Sequence, residues 1–458
     1  MIPHCATPRA TIFIPRCVRH GHARLLSDFV GMLSCRFMRA VDQTGFDFDF
    51  LDIDTFARGT PHDALAQLRN NAPVFWHQMP AAKGTDGFWL VTKHRDICDI
   101  SKNVKGFFSH NGSVLADAPR TTSEPWLMMV REGFAHLDPP KHTAYKHLIG
   151  PHFAARAVAS FENRVRYHAN RVLDSATALG KFDFVTEISV PFPVAVVFGE
   201  ILGFDPGDFE RAIHWGSLFN RVHVIPRRDW EFSALIKAAA TALPEMYAYA
   251  LNALRSRRDH PRDDMLSVLA HMKTPDGKPL SEEMFVSYFW SLAIGAFDTT
   301  AGTIAGGILA LNSFPTQRER LNKERSLVTN AVEEMLRWET PVIYFRRTAA
   351  EDTRIRERTV KRGDRVVMCY AAANRDEEVF ANSNTFDVSR EPNPHLAFGH
   401  GPHFCLGSHI ARLEIRILLE EIVRRELYFD VCGDIIRERS NFINRIVQMP
   451  VVAYSRKG

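Results

Sequence analysis

The segment that most constrains the fold of this chain is residues 398–407, which reads FGHGPHFCLG. Three glycines and one proline within ten residues predict a tight loop whose backbone approaches a neighbouring element closely. Its single cysteine, Cys405, stands just before a pattern that predicts a helix over residues 408–421. A thiolate at this position would face a helix N-terminus, where free amides and the helix dipole stabilise negative charge. The segment therefore predicts a cysteine that is kept deprotonated, as a metal-bound cysteine must be.

Cys405 could instead be a structural thiol or a zinc ligand. A lone cysteine is commonly a buried, unreactive thiol, but a buried thiol does not require the surrounding glycines. A zinc site would need a standard ligand spacing. The nearby candidate zinc ligands, whose spacing fits no such pattern, are His400, His403, Cys405 and His409. We therefore favour a single thiolate ligand.

Composition excludes several classes of protein. The chain has 458 residues, of which 45% are hydrophobic and 24% charged, and its formal charge is +4. These values are those of a globular protein, and the basic residues form no stripe that would predict nucleic-acid binding. The seven cysteines are odd in number and never spaced as CxxC, which favours the reducing cytoplasm. The longest apolar run, residues 284–296, is shorter than the roughly 18 residues of a membrane span.

The N-terminal residues differ from the rest of the chain. Residues 1–40 carry several arginines and histidines, with no acidic residue before Asp28. They are either an Arg-rich targeting segment or a leader that precedes the true start at Met32 or Met38, and we favour the second. Either way, residues 1–45 are expected to be a disordered or mis-assigned extension. No linker composition interrupts the remainder, so residues 46–458 are expected to form one domain.

Hydrophobic periodicity predicts a mainly α fold with small β-sheets. Apolar residues recur at helical spacing over residues 142–178, 234–258 and 282–313. Short strands are predicted at residues 89–92, 366–368 and 447–452.

An acid and an alcohol interrupt one of the predicted helices. Asp298, Thr299 and Thr300 lie midway along an apolar helix, just after the small residues Gly295 and Ala296. Threonine hydroxyls bond back to helix carbonyls and distort the helix, and small residues leave room for a ligand. A carboxyl and a hydroxyl beside a reacting centre can relay protons. The alternative is a helix kink with a capped aspartate.

Taken together, these segments resemble the cytochrome P450 family. Phe398, Gly401, Cys405 and Gly407 match the ligand-loop signature of that family, which implies that Cys405 is the axial ligand of haem iron. His403 matches a common contact of a haem propionate. The acid and alcohol positions of the family's oxygen-activation motif correspond to Asp298 and Thr299.

The resemblance also assigns a buried ion pair on the cysteine side of the haem. Glu334 and Arg337 stand three residues apart on a predicted helix, a spacing that by itself is common in surface pairs. They match the family's Glu-x-x-Arg pair, whose implied role is structural. Where relatives place an arginine or histidine to complete this group, the chain has Thr385, and Arg390 is a candidate replacement.

Three basic residues are implied to bind haem propionates. They are Arg347 and the pair His142 and Lys146, which stand four residues apart on one helix face. Lys146 replaces the usual arginine and lacks its bidentate fork, so its contact is expected to be weaker. The alternative for the pair is a solvated helix face.

The resemblance implies a triangular single domain that encloses haem b and acts as a monomeric, cytoplasmic monooxygenase. Its oxidant is dioxygen, and two electrons come from an external ferredoxin and ferredoxin reductase, because few residues follow Cys405 and no ferredoxin cysteine pattern is present. Apolar segments that are candidate cavity walls (residues 107–108, 126–129, 184–198 and 219–225) favour a lipophilic substrate of the terpenoid, sterol or branched aliphatic class. The alternatives are a peroxide-using haem-thiolate enzyme and a haem sensor or carrier.

Overall fold

The computed structural model of the chain describes residues 48–79, 87–115, 128–129, 131–222, 229–296 and 298–455, with only the backbone for 219–222, 229–236 and 296. The predicted N-terminal extension, residues 1–45, lies outside the described residues, as do residues 126–127 and 223–225 of two candidate cavity walls.

Helices form most of the described structure. In chain order they are α1 Ile53–Ala57, α2 His62–Asn71, α3 His94–Lys102, α4 Lys141–Ile149, α5 Ala155–Ala159, α6 Glu162–Thr177, α7 Pro191–Pro193, α8 Phe209–Val222, α9 Asp229–Asp259, α10 Met265–His271, α11 Glu282–Ala296, α12 Asp298–Ser313, α13 Pro315–Lys323, α14 Val328–Glu339, α15 Tyr370–Ala373 and α16 Ser408–Arg425. Two π-helical segments, Val185–Ser189 and Val194–Ile201, flank α7. Single 3-10 turns occupy Phe134–His136, Gly150–Phe153, Pro206–Asp208, Arg325–Leu327 and Gly401–His403.

Short strands form small sheets at the edges of the helical body. They are β1 Val74–Gln78, β2 Gly87–Val91, β3 Phe107–Phe108, β4 Lys181–Asp183, β5 Tyr344–Ala349, β6 Thr353–Ile355, β7 Arg358–Val360, β8 Arg365–Cys369, β9 Leu427–Val431, β10 Ile436–Arg437, β11 Ile446–Gln448 and β12 Pro450–Ser455. The largest sheet has the order β1-β2-β8-β5-β3, in which only the β2–β8 pair is parallel. A second sheet has the order β4-β12-β9, and β6–β7 and β10–β11 are hairpin pairs.

The predicted class, mainly α with small β-sheets, is confirmed, and the differences are local. The helical pattern predicted over residues 142–178 is divided into α4, a 3-10 turn, α5 and α6. Pro151 within this stretch lacks the N–H that a continuous helix needs. The strand predicted at residues 447–452 is likewise two strands, β11 and β12, separated at Met449.

Helix α12 runs through the hydrophobic core, and most of its residues are buried. Its neighbours approach its backbone at glycines: a Cβ atom added to Gly306 would lie 2.2 Å from Glu339, and one added to Gly307 would lie 2.0 Å from Met335. Helix α14, which carries Glu339 and Met335, therefore packs directly on the α12 backbone. This close packing fixes the face of α12 that opposes the cysteine loop.

The described residues include one helical stretch, Glu282–Ser313, that is long and apolar enough to cross a membrane. It is longer than the apolar run noted in the sequence, residues 284–296, and includes that run. Its most apolar 18-residue window is 69% buried inside the protein, as expected of a core helix.

Candidate functional site

A cavity of about 300 Å³ lies between the cysteine loop, α4, α12 and α16. Cys405 is part of its wall, so the surface that this residue exposes faces the cavity. Opposite elements contribute Thr299 and Thr300 from α12 and Leu292 from α11. Of the predicted site residues, those that line this cavity are His142, Lys146, Thr299, Arg347, Phe398, His403, Cys405 and Gly407.

The loop that carries Cys405 is shaped by hydrogen bonds between its own backbone groups. The Cys405 N–H donates to the Phe398 carbonyl at 2.9 Å. Gly401 has a positive φ of 69°, which L side chains rarely adopt, and a Cβ added there would lie 2.6 Å from the Ser101 carbonyl oxygen at the end of α3. The predicted close approach therefore exists at Gly401. A Cβ on Gly407 would meet only ordinary contacts, at 3.6 Å from Ile410 and 4.0 Å from the Cys405 Sγ.

The thiol of Cys405 sits where a metal can keep it ionised. Burial raises the pKa of the Cys405 thiol, whereas the Gly407 backbone N–H and the positive charges of Lys146 and Arg412 lower it. Helix α16 begins at Ser408, so the thiol lies beside a helix N-terminus as the sequence predicted. A coordinated metal ion deprotonates a thiol outright. This donor therefore suits a metal-bound cofactor better than an unliganded state.

Four basic side chains gather at the cavity. The rings of His142 and His403 lie with centroids 4.1 Å apart. Burial, followed by the charges of Lys146 and Arg347, lowers the pKa of His142 to about 4, and burial also lowers the pKa of His403, so both rings are neutral at pH 7. Arg347 is 5% exposed and donates to the Arg346 carbonyl at 2.8 Å.

This basic cluster fits the propionates of a haem. Arg347 and Lys146 contact no carboxylate within the part of the chain that the structure describes. Leaving a buried cation without a counter-charge is costly. The buried Nδ1 of His142 also has no hydrogen-bond partner. The Cys405 thiol and these unmatched polar groups line one cavity, so the residues present suit an anionic, metal-containing cofactor such as haem.

The acid and the alcohol predicted on α12 occupy different environments. Thr299 lines the cavity, and its hydroxyl donates to the Gly295 carbonyl at 3.1 Å. Asp298 is fully buried, is not among the cavity-lining residues, and forms an ion pair with Arg445. Arg445 also pairs with Glu438 at 2.9 Å. The structure therefore brings Thr299, but not the Asp298 carboxylate, to the cavity.

Glu334 and Arg337 form a completely buried ion pair on α14. Two bonds of 2.7 Å join the guanidinium to the carboxylate. Arg337 also donates to the backbone carbonyls of Asn374 and Ser383 at 2.9 Å. These bonds tie α14 to the segment that leads to the ligand loop.

Arg390 joins this pair and replaces the arginine or histidine that relatives have at the position of Thr385. Its Nε lies 3.1 Å from Glu334, so Glu334 accepts hydrogen bonds from two arginines. Thr385 contributes its backbone carbonyl, which accepts from Arg337 at 3.2 Å and from Arg390 at 3.0 Å.

Two residues of the site were missed by the sequence analysis. Glu414 of α16 lines the cavity and is fully buried, and among the described residues neither of its carboxylate oxygens has a hydrogen-bond partner of standard geometry. Burial raises its pKa well above the ordinary value, and the nearby Thr300 side chain offsets only part of that shift, so burial favours the neutral carboxyl form. Arg445 was missed because it is 147 residues from Asp298 in the chain. No local pattern distinguished either residue from a solvated charge.

The zinc alternative receives no support from the described residues. They contain no group of three or more histidine, cysteine, aspartate or glutamate side chains that could hold a metal ion.

Comparison with known proteins identifies the family. The cytochrome P450 family profile matches residues 87–432. Linalool 8-monooxygenase of Pseudomonas putida is 32% identical over 413 residues, which cover 88% of this chain and 98% of that protein. Steroid C26-monooxygenase of Rhodococcus jostii is 34% identical over 412 residues, which cover 88% and 84%. A cytochrome P450 of Mycobacterium marinum, solved in complex with pseudoionone, has a TM-score of 0.80 at 30% identity and covers 91% of this chain and 100% of that one.

These matches extend well beyond the ligand loop and include the helices and sheets on every side of the cavity. They confirm the family, fold and enzyme class predicted from the sequence. The chain belongs to the cytochrome P450 family and is an oxidoreductase with the fold of that family.

Proposed function

We propose that this protein is a haem b-dependent monooxygenase that hydroxylates a lipophilic molecule of the terpenoid, sterol or branched aliphatic class. It uses dioxygen and two electrons from an external ferredoxin and its reductase. The observation that carries the proposal is the cavity itself, which has the Cys405 thiol on one wall and the Thr299 hydroxyl on another. Thiolate ligation favours O–O cleavage by haem iron.

Each predicted site residue has a defined task in this proposal. Cys405 would hold the iron of the haem, and the haem would supply the redox chemistry that activates dioxygen. Arg347 and Lys146 supply positive charge for its propionates, and the neutral rings of His142 and His403 supply hydrogen bonds.

Proton delivery is assigned to α12. The Thr299 hydroxyl donates to the Gly295 carbonyl, which leaves its lone pairs free to accept from a water molecule in the cavity. Asp298 is the proposed acid of the relay, and it must separate at least in part from Arg445 to reach that water.

The chemistry of the walls supports a neutral, lipophilic substrate. Away from the basic cluster the lining is mainly apolar. Of the candidate wall at residues 184–198, Val197 alone is among the lining residues. The lining includes Phe153, Val197, Ile201, Leu202, Leu292, Val342 and Phe345. Relatives act on linalool and on C26 of steroids, and a structural neighbour holds pseudoionone. All three are isoprenoid in origin, so an isoprenoid chain is the first substrate to test.

The proposed ferredoxin would dock on the cysteine-side surface, near Arg412. This arginine is already engaged by Glu333 through two bonds of 2.7 and 2.8 Å, with its side chain 31% exposed. An acidic partner would compete with Glu333 for the guanidinium, which makes docking sensitive to salt. We also propose a cytoplasmic, monomeric protein, in keeping with the free thiols of Cys98, Cys369, Cys405 and Cys432.

A spin-state screen tests the proposal. The ferric holoprotein is titrated with linalool, pseudoionone, a sterol and a branched alkane, and with a fatty acid as a charged control. We expect a neutral isoprenoid to shift the haem spin state and to give a hydroxylated product with ferredoxin, reductase and dioxygen. Product formed from peroxide but not from reduced ferredoxin would favour the peroxide-using alternative. The absence of both a shift and a product from all of these compounds would favour a sensor or carrier.

A further inference from the structure

Lys146 holds the backbone of the cysteine loop. Its ammonium group donates to the Pro402 carbonyl at 2.7 Å and to the Phe404 carbonyl at 2.5 Å. The Phe404 carbonyl belongs to the peptide bond that joins Phe404 to Cys405. A cation on α4 is therefore bonded to the peptide group that carries the thiolate residue.

Few other hydrogen bonds tie this part of the loop to neighbouring elements. The bonds from Phe404 N–H to Gly401 and from Cys405 N–H to Phe398 are both internal to the loop. His403 approaches the Ser109 hydroxyl at 3.4 Å, which is a long contact for a hydrogen bond. Two short bonds from a charged donor are stronger than either kind of contact.

The contact is a consequence of having lysine at this position. An ammonium group is a compact charge with three donors that can point in different directions, whereas a guanidinium is a planar fork. Two of the three donors of Lys146 are used by the loop carbonyls, and its side chain still lines the cavity. One donor remains for a group inside the cavity.

We propose that Lys146 is a positioning residue that fixes the Phe404–Cys405 peptide and so aims the Cys405 sulfur at the haem iron. The proposal rests on the thiolate ligation of the proposed function and assigns Lys146 a role distinct from binding a propionate. Removing the ammonium group is expected to release the loop before it releases the haem.

The test compares Lys146→Met with Lys141→Met in the holoprotein. Lys141 lies on the same helix, but it is exposed and pairs with Glu132 on the surface. Two rates are measured. The first is the rate at which the carbon monoxide complex loses the red-shifted band of thiolate ligation. The second is the rate at which haem is transferred to apomyoglobin. Loss of two charge-assisted hydrogen bonds should accelerate the first rate about tenfold or more in Lys146→Met. The second rate should rise by a smaller factor, because Arg347 still supplies a cation for the propionates.

Three results would overturn the proposal. If Lys146→Met converts no faster than Lys141→Met, the loop does not depend on the lysine. If Lys146→Met loses haem faster while the remaining complex keeps its thiolate band, the lysine serves the propionate alone. If Lys146→Met yields no folded protein, Lys146→Gln takes its place, because glutamine keeps amide donors without the charge. Lys146→Gln should lose the thiolate band faster than Lys141→Met does, and equal rates would overturn the proposal. Absence of the thiolate band in Lys141→Met itself would contradict the proposed function instead.

Discussion

The cysteine side and the α12 side of the cavity are held by different kinds of interaction. On the cysteine side, Glu334 is buried between Arg337 and Arg390, and Lys146 is bonded to loop carbonyls. On the α12 side, Thr299 donates to a carbonyl of the adjacent helical turn. Neighbouring helices approach α12 at its glycines.

This difference separates a fixed wall from an adaptable one. Displacing any ion on the cysteine side leaves a buried charge without its partner, which costs several kcal/mol. A threonine hydroxyl on α12 can exchange one backbone acceptor for a water or ligand at a cost of about 1 kcal/mol. The thiolate is therefore held rigidly, while the Thr299 hydroxyl can rearrange. Asp298 on the same helix is the exception, because it is buried in an ion pair with Arg445.

Replacing the ligand itself should have the largest effect. In Cys405→Ala the reduced carbon monoxide complex should lose the red-shifted band of thiolate ligation completely, because no other described cysteine lines the cavity. The half-buried Cys98 provides the control, and Cys98→Ala should keep the band. A thiolate band that survives in Cys405→Ala would mean that Cys405 is not the ligand of the haem iron.

The next largest effect is expected at the buried ion pair. Glu334→Ala leaves Arg337 buried without its carboxylate, at a cost of about 3–5 kcal/mol, so little folded holoprotein should form. Haem content and melting temperature measure the loss.

The neighbouring Glu333→Ala is a matched control for Glu334→Ala. It removes ion pairs with Arg412 and His395, but the Glu333 side chain is 25% exposed, so the cost should be clearly smaller than that of Glu334→Ala. Equal effects in the two variants would show that burial does not distinguish them.

On the adaptable side, the acid should affect rate without affecting ligation. Asp298→Asn should slow reductant consumption by about 100-fold to 10,000-fold, the usual contribution of a general acid. Glu438→Gln is the control, because it removes the other acid that contacts Arg445 and leaves Asp298 in place. If Glu438→Gln slows the reaction as much as Asp298→Asn does, the lower rate results from the changed charge around Arg445, and Asp298 is not the acid of the relay.

The alcohol should affect coupling. In Thr299→Ala the substrate-induced spin shift should persist, since the pocket loses only one hydroxyl. Product formed per reductant should fall about tenfold, with peroxide released, because proton delivery becomes disordered. Thr299→Ser restores a hydroxyl and should restore coupling. If Thr299→Ala forms as much product per reductant as the wild type does, the Thr299 hydroxyl is not needed for proton delivery.

The effect expected at Glu414 depends on pH. Its folded-state pKa is raised by burial, so the unfolded chain loses this proton at lower pH than the folded protein does. Stability therefore falls as pH rises above the ordinary glutamate pKa, by about 1.4 kcal/mol per pH unit up to the folded pKa.

Glu414→Gln removes this titration and keeps the shape of the side chain. Its melting temperature should exceed that of the wild type at pH 8, and the difference should shrink towards pH 4. A difference that does not vary with pH would mean that Glu414 is ionised in the folded protein.

Sequence patterns predicted the parts of the site that depend on local spacing. The ligand loop is a local motif, and Glu334 and Arg337 face each other because they are one helical turn apart. The partners that decide how these groups behave come from distant segments. Arg445 binds Asp298 from a hairpin, and Glu414 occupies one of many acidic positions on an amphipathic helix. Their burial results from tertiary packing, which periodicity alone does not reveal.

Two of the three glycines of the cysteine loop, Gly401 and Gly407, set different limits on sequence variation. At position 401 the obstacle is a backbone carbonyl of α3, which cannot rotate away as a side chain can, so even alanine should disrupt the fold whether or not the cofactor is bound. At position 407 the protein itself leaves space for a methyl group beside Cys405, and only an occupant of the cavity would exclude it. In a mutational library selected first for folding and then for cofactor retention, substitutions at 401 should disappear in the first round and those at 407 in the second.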